Sequence, residues 1–152
     1  AVMEGSGRAD IIVMAAAVAD YTPATPSSDK IAKTNAPLAL RLERTPDILA
    51  DLGRLPSRQA TGLPILVGFA AETGDVVAKA REKRTRKAID VIVANDVSRP
   101  DAGFDVGTNA VTIIGQTGET ELPVQAKATA AAAILDRVEQ LIQTRAAAPL
   151  RA

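Results

Sequence analysis

The residues best suited to chemistry stand directly after apolar runs of the chain. Three such runs each end in polar or acidic residues: Asp20, then Glu72-Thr73-Gly74, then Asn95-Asp96-Val97. If the runs are neighbouring parallel strands, these groups meet at the carboxyl edge of one sheet. Ligands of open α/β sheets bind at that edge. The spacing therefore predicts one ligand site assembled from three loops.

Two lysines lie in the loop beyond the first run. Asp20 is followed by a stretch rich in Pro, Ser and Thr that leads to Lys30 and Lys33. A carboxylate and a lysine on such a loop can hold a metal-bound triphosphate, the lysine acting as a point charge. The alternative is an ordinary solvated loop, and these residues alone favour that alternative.

The most basic stretch is Arg81–Lys87, with five positive charges in seven residues. Lys83 and Lys87 are four apart and share one face of the predicted helix, where like charges repel by about 0.2–0.5 kcal/mol. An anionic ligand would relieve that repulsion. The alternative is that cations near a helix C-terminus are simply favoured by the helix dipole.

Two further segments have both a functional and a structural interpretation. Thr45-Pro46-Asp47-Ile48 predicts a helix start, with Thr45 as N-cap and Pro46 as first helical residue. Its free N–H groups could contact an anion, but plain capping is the simpler reading. Phe69 lies within an apolar strand, so we expect it in the core.

Composition excludes several classes of protein. Among 152 residues there are no Cys and no His, which excludes disulfides, Cys/His zinc sites and histidine-dependent triads. Lys and Arg total 18 and Asp and Glu total 18, so the chain lacks the excess of basic residues that is typical of proteins that bind nucleic acid or a membrane surface. We find no targeting segment, no phosphate-binding GxGxxG or GxxxxGK[ST] pattern and no membrane span, and expect a cytoplasmic protein. Nucleotidyl transfer, which needs alignment and charge neutralisation, suits the remaining side chains.

Hydrophobic patterning predicts one α/β domain over residues 1–152. It is expected to be a Rossmann-like, doubly wound, mainly parallel sheet with an added hairpin and a C-terminal helix. The predicted strands are Asp10–Ala19, buried on both faces, a half-exposed one over Leu38–Leu42, Ile65–Ala71, Ile89–Ala94, and a hairpin of Asn109–Gly115 with Glu119–Leu122. The predicted helices run to about Leu52, over Val76–Ala88 and over Lys127–Thr144, with Asp20–Asp29 as loop.

Several stretches together resemble the phosphopantothenate–cysteine ligase (CoaB) family, usually the C-terminal half of a bifunctional coenzyme A biosynthesis protein. They occur in family order and spacing between about Asp10 and Ile142. The matching stretches are Ala15–Tyr21, Lys30–Lys33, Thr45–Leu49, Val67–Thr73, Lys83 with Lys87, and Ala94–Val97 followed by Gly103-Phe104.

The resemblance implies a reaction. CTP would activate the carboxylate of 4′-phosphopantothenate as an acyl-cytidylate, with release of pyrophosphate. Cysteine would then attack to give the amide and CMP. A divalent metal, Mg²⁺ or Mn²⁺, would assist, although the resemblance points to no metal ligand. It also implies a homodimer, paired through the arm Thr22–Leu42. From the balanced charge we expect no nucleic-acid or membrane partner.

The resemblance also assigns residues. It implies catalytic roles for Lys30 and Asn95 and places Ala15, Ala16 and Ala17 with Asn95 near the acyl intermediate. The implied CTP contacts are Asp20, Lys30, Thr45, Pro46, Asp47, Ile48, Lys83, Lys87 and, through its backbone, Phe69.

Two departures from the family pattern qualify these expectations. Ala32 stands where the family has lysine. The chain also starts after a segment that, in the family, handles phosphopantothenate, so we expect CTP binding without ligation from these residues alone. The alternatives are a nucleotide-binding module without ligase activity and an NAD(P)-type oxidoreductase, which the absence of GxGxxG disfavours.

Overall fold

The computed structural model describes residues 1–33, 35, 37–99, 101 and 106–147. The helices are α1 (Val2–Gly5), α2 (Ile48–Gly53), α3 (Pro56–Thr61), α4 (Val76–Lys87) and α5 (Lys127–Ala147), with a 3₁₀ turn at Ser6–Arg8. The strands are β1 (Ile11–Met14), β2 (Tyr21–Pro23), β3 (Leu42–Arg44), β4 (Ile65–Glu72), β5 (Val91–Asp96), β6 (Thr108–Ile114) and β7 (Glu119–Ala126). None of these helices combines the length and apolar character needed to cross a bilayer.

A sheet in the order β1-β4-β5-β6-β7 organises the described residues. The pairs β1–β4 and β4–β5 are parallel, and β5–β6 and β6–β7 are antiparallel. The predicted α/β class, parallel centre, added hairpin and C-terminal helix are confirmed. The parallel arrangement brings the ends of β1, β4 and β5 to one edge of the sheet.

The central strands β4 and β5 are buried on both faces, which explains why they are continuously apolar. Alternate residues of β4 enter different clusters. Leu66 packs with α2 and α4 on one face, whereas Ile65 and Val67 pack with α5 on the other. Helices on both faces therefore hold β4 and β5 in register, and these strands fix the edge at which the site forms.

The prediction that Asp10–Ala19 is a strand buried on both faces is wrong in extent and in burial. β1 covers only Ile11–Met14, and Ile11 and Val13 remain exposed. Among the described residues, β1 is the outer strand of the sheet and pairs with β4 alone. The alanines that follow are weak strand formers, so the chain leaves the sheet after Met14.

The segment that was expected to be loop contains a strand. Tyr21–Pro23 pairs antiparallel with Leu42–Arg44 in a separate two-stranded ribbon. The strand expected over Leu38–Leu42 is displaced toward Arg44, and Leu38 and Leu40 are exposed. All ribbon residues are exposed, so no alternation of burial marked them in the sequence.

Helix α2 begins later than predicted. Its N-cap is Asp47, whose Oδ1 accepts a hydrogen bond from Ala50 N–H at 3.1 Å. Thr45 does not cap the helix, because its hydroxyl donates to the carbonyl oxygen of Ala19 instead. Helix α4 follows its predicted bounds closely, and α5 extends the predicted helix to Ala147.

Candidate nucleotide site

A cavity of about 310 Å³ lies at the carboxyl edge of β1 and β4. Its walls come from the segment after β1, the start of α2, the end of β4 and one face of α4. The lining residues are Met14, Ala16–Asp20, Thr45–Leu49, Phe69–Ala71, Lys83 and Lys87. Residues separated by up to about 70 positions therefore share one concave surface.

Thr45 joins two of these walls. Its backbone N–H donates to the carbonyl oxygen of Asp20 at 3.0 Å. Its hydroxyl donates to the carbonyl oxygen of Ala19 at 2.6 Å. The two bonds fasten the segment after β1 to the start of α2, so Thr45 shapes the cavity through Ala19 and Asp20 rather than through the helix.

Lys83 and Lys87 both line the cavity from α4, and each contacts a carboxylate. Lys83 Nζ forms an ion pair with Glu72 at the end of β4. Lys87 Nζ lies 2.9 Å from Asp47 Oδ1. The repulsion expected between the two lysines is thus offset by acidic residues of the same chain. Their shared face of α4 is nevertheless the most cationic wall of the cavity.

Asp47 carries two structural duties. Burial acts to raise the pKa of its carboxyl, but hydrogen bonds from Lys87 and from Ala50 N–H outweigh burial and lower that pKa below 3.8. The carboxylate therefore stays ionised at neutral pH, caps α2 and holds Lys87.

A close approach of α2 to α4 keeps this pair together. A Cβ on Gly53 would lie 1.9 Å from the carbonyl oxygen of Lys87. Only glycine permits this contact between the end of α2 and the end of α4. The contact fixes the backbone of Lys87 next to the helix that Asp47 begins.

The prediction that Phe69 belongs to the core is wrong. Its side chain is 42% exposed and forms part of the cavity wall. Phe69 shares a face of β4 with Ile65 and Val67, but it lies past the residues covered by α5. The ring is consequently available to a ligand.

A second cavity of about 260 Å³ adjoins the first. The two cavities share Met14, Ala16, Ala17 and Phe69–Ala71. The second adds Ala15, Asn95, Asn109 and Lys127. Asn95 Oδ1 is buried without a hydrogen-bond partner among the described residues. The pair of cavities gives the site one cationic compartment and one lined largely by small apolar residues.

The structure brings together the residues predicted for a nucleotide, with the exception of Lys30. Asp20, Thr45, Pro46, Asp47, Ile48, Phe69, Lys83 and Lys87 line the first cavity, and Ala15, Ala16, Ala17 and Asn95 line the second. Lys30 is exposed on the loop after β2 and lines neither cavity. Gly103-Phe104 lies outside the described residues.

Sequence reasoning missed two polar residues of the second cavity, Asn109 and Lys127. The available signal was Lys127, a cation at the first position of a helix, where acidic residues are the usual choice. Among the described residues no group of three or more acidic side chains is placed to hold a metal ion.

The chain is similar to several known proteins. Residues 1–142 match the family model of the DNA/pantothenate metabolism flavoprotein C-terminal domain. The coenzyme A biosynthesis bifunctional protein CoaBC of Bacillus subtilis (strain 168) is 43% identical over 142 residues, covering 93% of this chain and 34% of that protein. CoaBC of Vibrio vulnificus (strain CMCP6) is 38% identical over 144 residues, covering 93% and 35%.

A solved structure is also similar. The crystal structure of the C-terminal domain of CoaBC has a TM-score of 0.71 and 32% identity, covering 94% of this chain and 60% of that one. The chain thus spans about a third of the length of these curated relatives.

Proposed function

Because the chain belongs to the family of the DNA/pantothenate metabolism flavoprotein C-terminal domain, we propose that it is part of a coenzyme A biosynthesis ligase. The reaction is CTP-dependent ligation of 4′-phosphopantothenate to cysteine. The carboxylate attacks the α-phosphorus of CTP and displaces pyrophosphate. The cysteine amine then attacks the acyl carbon and displaces CMP.

The first cavity is the observation that carries this proposal. It combines two lysines, an aspartate of the segment after β1 and an exposed aromatic ring: Lys83, Lys87, Asp20 and Phe69. Ammonium groups suit a triphosphate, and an exposed ring on an otherwise small-residue wall suits a base or ribose. The adjoining apolar cavity then suits the acid that reacts with the nucleotide.

Magnesium fits this arrangement as a companion of the nucleotide. Mg²⁺ in nucleotide sites is commonly held by one or two carboxylates together with substrate phosphates. Asp20 supplies one such carboxylate on the cavity wall. The metal would neutralise charge on the triphosphate. In this proposal the loop carrying Lys30 closes over the nucleotide and adds a further cation.

The proposal includes a homodimer. Five large apolar side chains are exposed along and between the strands of the ribbon: Tyr21, Ile31, Leu38, Leu40 and Leu42. Single exposed apolar residues are ordinary, but a concentration of them marks a contact surface. Light scattering across a concentration series measures the assembly directly, and a strictly monomeric species at high concentration would oppose this part of the proposal.

Nucleotide binding tests the central claim. With Mg²⁺ present, CTP should raise the free energy of unfolding more than ATP or NAD does, by about 2.7 kcal/mol at 100 times its Kd. Lys87→Gln should weaken CTP binding about tenfold by removing a charge-assisted contact. Lys79→Gln is the matched control, because Lys79 lies on the same helix outside the cavity and donates to Thr73.

Equal stabilisation by CTP, ATP and NAD would reject the assignment of the nucleotide. Equal effects of Lys79→Gln and Lys87→Gln would reject the cavity. Product formation from phosphopantothenate, CTP and cysteine tests ligation separately from binding, so a nucleotide-binding module without ligase activity is distinguishable from a complete ligase.

A further inference from the structure

A separate cleft of about 280 Å³ lies between α4 and the hairpin turn that joins β6 to β7. Among the described residues, none lines both this cleft and either cavity of the candidate nucleotide site. Lys83 and Lys87 line the first cavity, whereas other cations of α4 line the cleft. We call it the arginine cleft, and its lining residues are Arg81, Arg84, Thr85, Ile114, Gly115, Gln116, Gly118 and Glu119.

Arg84 is the cation of the arginine cleft that lacks a counter-charge. The residue is half-buried. Among the described residues it has no ion pair and a single hydrogen bond, a long one of 3.4 Å from Nη1 to the carbonyl oxygen of Ile89. A guanidinium has five N–H donors, so most of those of Arg84 are left for a ligand. The helix dipole favours a cation in the last turn of α4, but it satisfies none of these donors.

Two further guanidiniums lie around the same hairpin turn. Arg81 pairs with Glu119 through Nε and through Nη2, the second bond being 2.6 Å long. Arg137 of α5 donates to Thr117 Oγ1 at 3.3 Å. A Cβ on Gly115 would lie 2.8 Å from Arg137 Nη2, so glycine lets this guanidinium lie against the turn. The one carboxylate that pairs with these three guanidiniums among the described residues is that of Glu119, which leaves two positive charges uncompensated.

The chemistry of the arginine cleft suits a phosphate group. A guanidinium binds phosphate oxygens through pairs of parallel N–H···O bonds, which makes arginine the usual residue where an oxyanion is recognised by shape as well as by charge. The hydroxyl of Thr85, which donates to the carbonyl oxygen of Arg81 at 3.1 Å, can rotate toward a ligand. The volume of about 280 Å³ has room for a phosphate and for a small group that carries it.

We propose that the arginine cleft is a second anion site, which binds a phosphate-bearing small molecule with Arg84 as its main contact. Arg84 is available because no carboxylate has to be displaced from it, and Arg81 adds a contact through the N–H groups that Glu119 does not use. The site goes beyond the proposed function, because its residues are not those of the nucleotide cavities. Inorganic phosphate and an organic phosphomonoester present the same chemical group, and titration with each separates the two sources.

Residue-resolved NMR titration of the chain with inorganic phosphate, and separately with glycerol 3-phosphate, tests the proposal at an ionic strength held constant with chloride. The amide signals of Thr85 and Gly118 should shift saturably with at least one probe. Arg84→Gln should weaken that binding about tenfold, the usual scale of one hydrogen bond to a charged group, and Arg84→Lys should weaken it less. Arg86→Gln is the matched control, because Arg86 lies on the same helix outside the cleft and pairs with Glu82. It should change the Kd less than twofold.

Lys87→Gln separates the arginine cleft from the nucleotide cavity, because it should leave the shifts at Thr85 and Gly118 unchanged. Absence of saturable shifts there with both probes would overturn the proposal, as would equal losses in Arg84→Gln and Arg86→Gln, or loss of the shifts in Lys87→Gln. The probe with the lower Kd identifies the source of the phosphate. CTP binding, which Arg84→Gln should leave within about twofold, tests the proposed function separately.

Discussion

Phe69 lines both cavities, and its exposure follows from its place on β4. Neighbouring Gly68 faces the side covered by α2 and α4, where a Cβ would lie 2.7 Å from Leu49 and 2.9 Å from Ile89. Phe69 therefore faces the opposite side, beyond the reach of α5. A large apolar residue at that position contributes to a ligand surface more than to the folded state.

Replacement of Phe69 tests this separation of roles. Phe69→Ala should lower the free energy of unfolding by about 1 kcal/mol, because the side chain is only partly buried, with 42% of its surface exposed. Leu66→Ala, which removes a fully buried side chain of the same strand, should cost about 2–5 kcal/mol. Urea unfolding of both variants measures the contrast. A similar loss of unfolding free energy in Phe69→Ala and Leu66→Ala would show that Phe69 is part of the core.

At the scale of elements, α2 joins the fold to the site through its first turn. Asp47 caps the helix and pairs with Lys87 of α4. Because its pKa is lowered in the folded state, Asp47 stabilises the protein at pH values above its unfolded pKa. That contribution is lost as the pH falls through the lower, folded-state pKa.

Asp47→Ala should therefore destabilise the protein by about 1 kcal/mol at pH 7, the usual cost of a lost N-cap. The cost should shrink once the pH falls below the ordinary value of 3.8 and vanish below the folded pKa. Asp75→Ala is the control at pH 7, because Asp75 caps α4 by accepting from Ala78 N–H at the same distance of 3.1 Å. A cost that persisted unchanged at pH 2 would contradict the role of the ionised carboxylate.

The elements that were predictable from sequence are those that bury one or both faces, because burial requires apolar residues at regular spacing. β4, β5, α4 and α5 are apolar on the faces they bury, so period and length indicated them. The ribbon of β2 and β3 buries neither face, so its sequence shows no alternation of apolar and polar residues. Helix α3 is only six residues long, which is too short to show a helical period. β1 was overextended because an alanine-rich run is apolar without favouring a strand.

The candidate site was predictable to the extent that strand ends define it. Asn95 lies near the carboxyl end of β5, Asp20 lies on the segment that continues from β1, and Lys83 and Lys87 share a helix face, so topology brings them to one edge. Lys127 was not predicted, because it directly follows β7, the last strand of the antiparallel hairpin, and does not follow a parallel strand. The pairing of Glu72 with Lys83 depends on side-chain direction at a strand end, which no sequence period specifies.

At the scale of the whole molecule, a buried ionic cluster binds together the edge of the sheet opposite the site. Asp90 precedes β5 and accepts from Arg58 of α3 at 2.6 Å and from Leu66 N–H at 2.7 Å. Arg145, near the end of α5, pairs with its other oxygen. Arg58 also donates to the carbonyl oxygens of Pro64 and Ala88. One carboxylate thus connects α3, β4, β5 and α5.

Asp90→Ala should destabilise the fold by about 3–5 kcal/mol, because it leaves the buried guanidinium of Arg58 without its counter-charge. Asp136→Ala, an exposed position on α5, should change the free energy of unfolding by no more than about 0.5 kcal/mol. Chemical denaturation measures both. Under conditions where Asp90→Ala remains folded, its Kd for CTP should equal that of the wild type. Comparable stability of Asp90→Ala and Asp136→Ala would contradict the structural role of the cluster.

The ion pairs of Lys83 and Lys87 have a consequence for selectivity among anions. Glu72 and Asp47 act as tethered competitors, so an incoming anion must displace a carboxylate from each ammonium it contacts. A singly charged anion only exchanges one carboxylate for another of similar strength and gains little. A triphosphate brings several charges to both lysines at once and can displace both carboxylates. We therefore expect chloride to bind weakly in the cavity, although both lysines are partly exposed.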